Sequence, residues 1–168
     1  MPGAPRETSV EHEVTIAAAP EIVFGYFTDP ARMVEWMGAA ATLDPRPGGV
    51  FRIVFRPSPE VVEFLGPEGP LKADEENVVL GEFVEVDPYK RIAFTWGYER
   101  EHFAMPPQST GVEVSLTPSG DETIVRLIHR RLPAAASAFH RAGWEHYLPR
   151  LAAAASGRDP GPDALQRG

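Results

Sequence analysis

The chain has 168 residues, no cysteine and a formal net charge of -8, which fits a single domain with a sizeable core. The lack of cysteine excludes disulfides and thiolate metal sites, and the acidic balance disfavours nucleic acids and anionic membranes as partners. No apolar stretch approaches the ~20 residues that span a bilayer, and the first residues lack the apolar core of a signal peptide. We therefore expect a cytoplasmic protein with no nucleic-acid partner and no membrane span.

The chain order predicts one domain over residues 9–157, with flexible tails at 1–8 and 158–168. The first element is a strand from Val10 to Ala18. Two short helices follow it, the first opened by Pro20. At the second, Asp29 can cap the free amides and Pro30 fits the first helical position.

Apolar residues that alternate along the chain predict six further strands. We place them at residues 40–43, 50–56, 77–86, 91–98, 110–117 and 122–132. In the fourth of these, Ile92, Phe94 and Trp96 share one face, and the other long strands repeat this pattern. The result is an antiparallel sheet with one large aromatic face, which another element has to cover.

That cover is a long helix predicted from Pro133 to Ser156, where the apolar period changes to that of a helix. Its apolar stripe consists of His140, Trp144, Tyr147, Leu148, Leu151 and Ala155. Pro149 lies within it and predicts a kink, because it removes one backbone hydrogen bond and clashes with the carbonyl of Glu145. The complete order predicts an α+β fold with helices on one side of a curved antiparallel sheet.

The segment 58–76 interrupts the strand pattern. Ser58 can cap a helix, Pro59 fits its first position and Gly66 can end it. We predict a short mobile flap over the mouth of a pocket. The alternatives are a tethered surface loop and a dimer contact.

Several stretches, in this order, resemble the helix-grip (SRPBCC/START-like) superfamily. They are PEIVF at 20–24, TDP at 28–30 with Trp36, PGGVF at 47–51, GEFVEVDP at 81–88, RIAFTW at 91–96, TIVRLIH at 123–129 and GWEHYL at 143–148. The superfamily includes START-type lipid-binding domains, the birch-pollen-allergen fold and polyketide cyclases. The chain is most similar to bacterial relatives of the activator of the heat-shock-protein-90 ATPase.

This resemblance, which spans about residues 10 to 157, implies a sheet of about seven strands around a long C-terminal helix, with a cavity between them. It does not imply one chemistry, since the fold hosts several functions. The 58–76 segment is longer than the usual hairpin link in such proteins.

Inward-facing bulky residues are the candidates for lining a pocket of ~300–1,000 Å³. They are Trp36, Phe51, Phe55, Phe83, Phe94, Trp96, His129, His140, Trp144 and Leu148. The alternative is a dry, filled core.

His129 and His140 are also the candidates for catalysis, because an inward imidazole can serve as acid or base near neutral pH. Alternatively, each bonds a backbone carbonyl or water in the core. The five histidines, at 12, 102, 129, 140 and 146, are scattered, so we expect no metal site and no cofactor.

Three functions follow from these patterns. The first is a carrier or sensor of a small apolar molecule, which needs only a pocket. The second is an enzyme of the cyclase or dehydratase type that uses an inward histidine. The third is a chaperone-associated regulatory module, and a sheet edge or the 58–76 segment could also support a homodimer.

Overall fold

The computed structural model describes residues 7–67, 69, 71–100 and 103–167, and these form a curved antiparallel sheet of seven strands. The sheet order is β1-β7-β6-β5-β4-β3-β2, so every neighbour in the sheet except the β1–β7 pair is also a neighbour in sequence. The strands are β1 Glu7–Ile16, β2 Ala40–Leu43, β3 Val50–Phe55, β4 Asn77–Asp87, β5 Arg91–Trp96, β6 Thr110–Ser119 and β7 Glu122–Pro133. The predicted helix-grip α+β fold is confirmed.

Two short helices connect β1 to β2, as the sequence predicts. They are α1 (Pro20–Thr28) and α2 (Pro30–Met33). The Asp29 side chain accepts a hydrogen bond of 3.0 Å from the backbone N–H of Ala31, which satisfies one of the free amides at the start of α2.

A third short helix, α3 (Pro59–Leu65), lies between β3 and β4. The Ser58 hydroxyl accepts from the backbone N–H of Val61, and the chain leaves the helix at Gly66 with a φ of 80°. Glycine enters this left-handed region without steric cost. The predicted roles of Ser58, Pro59 and Gly66 are therefore all observed.

The long helix α4 (Ser137–Ala155) follows β7 after a 3₁₀ turn, Ala134–Ala136. It starts four residues later than predicted, because β7 continues to Pro133. Every residue of the predicted apolar stripe is buried. Pro149 lies inside α4, and a kink at this position stays a prediction.

The chain termini depart from the predicted tails. Glu7 and Thr8 are part of β1 and pair with Pro133 and Leu132 of β7; residues 1–6 lie outside the described residues. At the other end, residues 158–167, here called the C-terminal segment, pack on the domain. Its residue Gln166 forms an isolated antiparallel β-bridge with Pro57. This contact provides partners for backbone groups that follow the end of β3.

Candidate functional site

A cavity of about 920 Å³ lies between the sheet and α4, at the end of the sheet where β3 stops and β4 begins. The sheet contributes Phe55, Asn77 and Trp96, and Tyr98 lies just beyond the end of β5. Helix α4 forms one wall, and α3 and the C-terminal segment cover the remaining sides. Most of the lining side chains are apolar, as in typical small-molecule sites.

Gly143 lies at the centre of the α4 face that lines the cavity. Phe139 and Tyr147, four residues before and after it, lie about 40° to either side on the helix, and both line the cavity. Apart from its two chain neighbours and the nearby backbone of its own helix, a β-carbon at position 143 would meet no atom of the described residues within 4 Å. The missing side chain therefore leaves open space beside the helix.

Helix α3 covers the cavity without being buried itself. Each of its residues, all within the described part of the chain, is half-buried or exposed. Val61, Phe64 and Leu65 line the cavity, yet Phe64 keeps 88% of its surface exposed. The cavity therefore opens to solvent beside Phe64, and among the described residues of the 58–76 segment, residues 58–61 and Leu71 also line it.

The C-terminal segment closes the side next to α3. Its Leu165 carbonyl accepts a hydrogen bond of 2.9 Å from the backbone N–H of Ser58. The guanidinium of Arg150 on α4 donates to the carbonyl of Gly161 at 3.0 Å. The His146 ring meets the Asp163 carboxylate at 2.8 Å. These bonds hold the segment against both α3 and α4.

Asp163 is the centre of this attachment. Burial acts to raise its pKa, but hydrogen bonds from the Leu165 backbone N–H, the His146 ring and the Tyr147 hydroxyl together lower the pKa below its ordinary value. The ionised carboxylate is thus the form that these donors stabilise.

His140 reaches the cavity wall with both ring nitrogens already paired. Its Nδ1 lies 2.7 Å from the carbonyl oxygen of Ala136, which can only accept, so Nδ1 carries the proton. Its Nε2 lies 2.7 Å from the Tyr98 hydroxyl and therefore accepts from it. Burial lowers the pKa of His140 to about 4, so the ring is neutral near pH 7.

His129 lies one layer behind the cavity and is also fully paired. The indole N–H of Trp144 donates to its Nδ1 at 3.1 Å, which leaves the proton on Nε2. That Nε2–H faces the Thr110 hydroxyl at 2.8 Å, and Thr110 in turn donates to the Trp96 carbonyl at 2.6 Å. Burial, reinforced by the nearby His140, lowers the pKa of His129 well below its usual value.

The structure brings four of the ten predicted site residues to the cavity wall. They are Phe55, Trp96, His140 and Trp144. The other six do not line it; they are Trp36, Phe51, Phe83, Phe94, His129 and Leu148. Their side chains fill the interior beside the cavity, so for these positions the alternative of a filled core describes the structure.

The filled part is held by ring packing. Phe51 stacks on Phe94 with ring centroids 3.9 Å apart, and Phe83 meets Phe51 edge to face at 5.6 Å. Trp36 is fully buried and donates its indole N–H to the Tyr26 carbonyl. Neighbouring rings at these spacings leave no room for a ligand between them.

Several lining residues were absent from the sequence-based set, and two of them carry a signal in the strand pattern. Asn77 shares the inward parity of Val79 and Phe83 on β4, and Tyr98 shares that of Trp96. Both are polar residues at positions that face the core. A search for alternating apolar residues alone does not pick out such positions. The C-terminal segment carries no such sign, because its Pro/Gly-rich composition is that of a loop.

Among the described residues, no group of His, Cys, Asp or Glu is arranged to hold a metal ion; His102 lies outside them. Within the same residues, no helix is both long and apolar enough to cross a membrane.

Comparison with known proteins places this fold in a family. A family model described as activator of Hsp90 ATPase homolog 1-like protein (AHSA1) matches residues 17–156. The chain belongs to this family. An AHSA1-like protein of Rhizobium etli, solved by NMR in solution, is 35% identical with a TM-score of 0.66, covering 100% of this chain and 94% of its own. No protein among the curated ones matches.

Other solved structures share the fold at lower sequence identity. A crystal structure from Chromobacterium violaceum is 20% identical with a TM-score of 0.69, over 88% of this chain and 96% of its own. DynU16, a protein in the dynemicin biosynthetic locus, is 22% identical with a TM-score of 0.68, over 92% of this chain and 50% of its own. At these identities the likeness concerns the fold.

Proposed function

We propose that this AHSA1 family member binds a small, mostly apolar molecule in the cavity between β3–β5 and α4, as a carrier or sensor. The observation that carries the proposal is the cavity of about 920 Å³, which is lined largely by apolar side chains. A cavity of this size matches the sites that take drug-sized ligands. Gly143 supports it, since a larger residue at that helical position would occupy part of the space.

Binding is favoured over acid–base catalysis by the pairing of the two inward histidines. A general base needs a free lone pair within reach of the substrate. In His140 and His129 each lone pair accepts from Tyr98 or Trp144, and burial keeps both rings neutral. His140 therefore serves as a fixed part of the cavity wall, and His129 supports the residues behind that wall.

The test is to fill the cavity from Gly143. Gly143→Phe places a ring at the centre of the lining face, where the backbone is helical and the space is open. N-phenyl-1-naphthylamine, an uncharged apolar dye that fluoresces when bound, is titrated into both proteins. We expect the dissociation constant to rise by roughly tenfold or more in Gly143→Phe, since the dye and the ring compete for the same volume.

Gly143→Ala is the matched control. It adds only a methyl group and should retain dye binding, while raising helix stability by up to about 1 kcal/mol, because alanine is the better helix former. Equal dye affinity in the wild type and Gly143→Phe would contradict the proposed site. Failure of the wild type to bind any of a set of uncharged polycyclic dyes would contradict the proposed function.

The cyclase or dehydratase role, the chaperone-associated role, a homodimer and the cytoplasmic location stay predictions. The name of the family supplies the chaperone role, and no contact in the described residues favours it over ligand binding.

A further inference from the structure

The C-terminal segment forms part of the cavity wall without belonging to the core. Its residues 164–167 line the cavity, yet every residue from 158 to 167 is half-buried or exposed. This stretch contains no helix and no strand. Since little apolar burial holds it in place, its polar contacts decide whether it stays docked.

The first part of the segment is bound to α4. The carboxylate of Asp163 lies 2.8 Å from the His146 ring and also accepts from the Tyr147 hydroxyl. The guanidinium of Arg150 donates to the three successive carbonyls of residues 160–162, at distances from 3.0 to 3.3 Å. All of these contacts are polar, so water can replace each of them when the segment moves away.

The last part of the segment is bound to the residues that flank α3. The Leu165 carbonyl accepts from the backbone N–H of Ser58 at 2.9 Å. The guanidinium of Arg167 donates to the carbonyls of Pro57 at 3.3 Å and of Glu75 at 3.2 Å. Pro57 precedes α3 and Glu75 follows it, so the segment links α4 to both ends of the connection that carries α3.

We infer that the C-terminal segment gates the cavity: when docked it holds α3 beside α4, and when it leaves α4 a ligand can enter or leave. Gly157, with a φ of 81°, separates the segment from α4 and provides a pivot, because glycine changes backbone conformation at little steric cost. This inference rests on the proposed function and assigns the control of access to its cavity.

A reversible cross-link between the segment and the base of α3 tests the inference. Pro57 and Gln166 form an antiparallel bridge, and the hydrogen bond from Ser58 to Leu165 lies beside this pair and not within it. Such a non-hydrogen-bonded pair places its α-carbons about 4.5 Å apart, which suits a disulfide. The chain has no cysteine, so Pro57→Cys/Gln166→Cys introduces the only two thiols.

The same double variant is compared in two states, oxidised with glutathione disulfide and reduced with dithiothreitol. Intact mass confirms the cross-link, and stopped-flow fluorescence measures association and dissociation of N-phenyl-1-naphthylamine. We expect both rate constants to be roughly tenfold lower in the oxidised state and to recover on reduction, because a closed gate slows entry and exit alike. The dissociation constant should change by less than about threefold, since the two rates fall together.

Asp163→Ala tests the opposite state and needs no cross-link. It removes the acceptor that His146 and Tyr147 share, so dissociation and association of the dye should both become roughly fivefold faster. Asp159→Ala is the matched control. It removes the same charge from the same segment, but the Asp159 carboxylate bonds the backbone N–H of Gly161 within the segment, so the rates should stay at the wild-type values.

The outcomes separate the two proposals. If the wild type binds the dye, but the oxidised double variant exchanges it as fast as the reduced one, the gate is overturned while the binding function stands. The same holds if Asp163→Ala exchanges the dye at the rate of Asp159→Ala. A higher dissociation constant with an unaltered dissociation rate would make the segment a fixed part of the wall and also overturn the gate. If the wild type binds no dye, the binding function is contradicted and the inference falls with it.

Discussion

At the scale of single residues, the buried polar groups fall into two kinds. His129, His140 and Thr110 form fixed hydrogen bonds in which every donor faces an acceptor. Such a network orients the aromatic rings of Trp96 and Trp144 without offering a reactive lone pair. Asn77 is of the other kind, because its side-chain oxygen is buried without a hydrogen-bond partner among the described residues.

The neutral histidines make stability depend on pH. The unfolded chain binds a proton at each histidine near pH 6.5, whereas burial lowers the folded pKa of His140 to about 4. Below pH 6.5 the unfolded state therefore holds more protons, so stability falls as the pH decreases and levels off below pH 4. For His140 alone the loss amounts to about 3 kcal/mol at pH 4.

Urea denaturation between pH 8 and pH 4 checks this, with His140→Gln as the comparison. The variant should lose about 3 kcal/mol less than the wild type over that interval. Its stability at pH 7 separately reports the cost of the altered hydrogen bonds to Ala136 and Tyr98. A variant that shows the full acid sensitivity of the wild type would contradict the assigned protonation state.

At the scale of elements, α3 is the part of the chain whose removal should least disturb the sheet. The connection that contains α3 runs from Phe55 at the end of β3 to Asn77 at the start of β4, and these two residues already pair across the sheet. Arg56 and Glu76 continue this approach with an ion pair at 3.0 Å. A short turn can therefore join the two strands directly.

Replacing residues 59–75 with a glycine-containing turn tests whether α3 acts as a flap. Described residues of this segment, among them Val61 and Leu65, line the cavity, so its removal should speed the dissociation of bound N-phenyl-1-naphthylamine in stopped-flow fluorescence. Residue 77 and β4 are retained, so the fold can be monitored by circular dichroism. Unchanged dissociation kinetics in a folded variant would show that the segment is a tethered loop and not a flap.

At the scale of the whole molecule, the interior is divided into a filled part and a hollow part. Phe51, Phe83 and Phe94 pack ring against ring in the filled part. Phe55, four residues beyond Phe51 on the same face of β3, lies instead at the cavity and packs near Tyr147 with ring centroids 5.7 Å apart. The same strand thus contributes to the core at one end and to the site at the other.

This division predicts unequal effects of two matched truncations. Phe94→Ala should lower the free energy of unfolding by about 3–5 kcal/mol, because it leaves a void in a packed core. Phe55→Ala should cost less than about 2 kcal/mol, because its half-buried ring already borders open space, and it should weaken dye binding. Urea denaturation measures both costs; equal losses of stability would mean that the cavity end is packed as tightly as the core.

Sequence periodicity predicted most of the fold. The strand alternation of Ile92, Phe94 and Trp96 and the helical stripe from His140 to Ala155 both correspond to buried faces. Caps such as Asp29 and Ser58 also behave as predicted. These features are local, because the side chains and backbone that decide them lie within a few residues of each other.

The lining of the cavity was predicted only in part. The inward faces of Trp96 and Phe94 look equivalent in sequence, yet one lines the cavity and the other is packed in the core. The C-terminal segment was predicted as a flexible tail because its composition is that of a loop. In the structure, side chains of α4 (His146 and Arg150) and the backbone that follows β3 hold it in place. These groups belong to other elements, so the composition of the segment itself does not reveal them.

The sequence by itself determined which residues face inward, since alternation and helical period place a side chain on one face of its own element. The tertiary structure decided where the inward faces meet and where they stay apart. Only the packing of α3, α4 and the C-terminal segment over one end of the sheet leaves open space beside Gly143. The same packing leaves the side-chain oxygen of Asn77 without a partner among the described residues. Both features depend on which residues from distant parts of the chain pack nearby. A local sequence pattern does not contain that information.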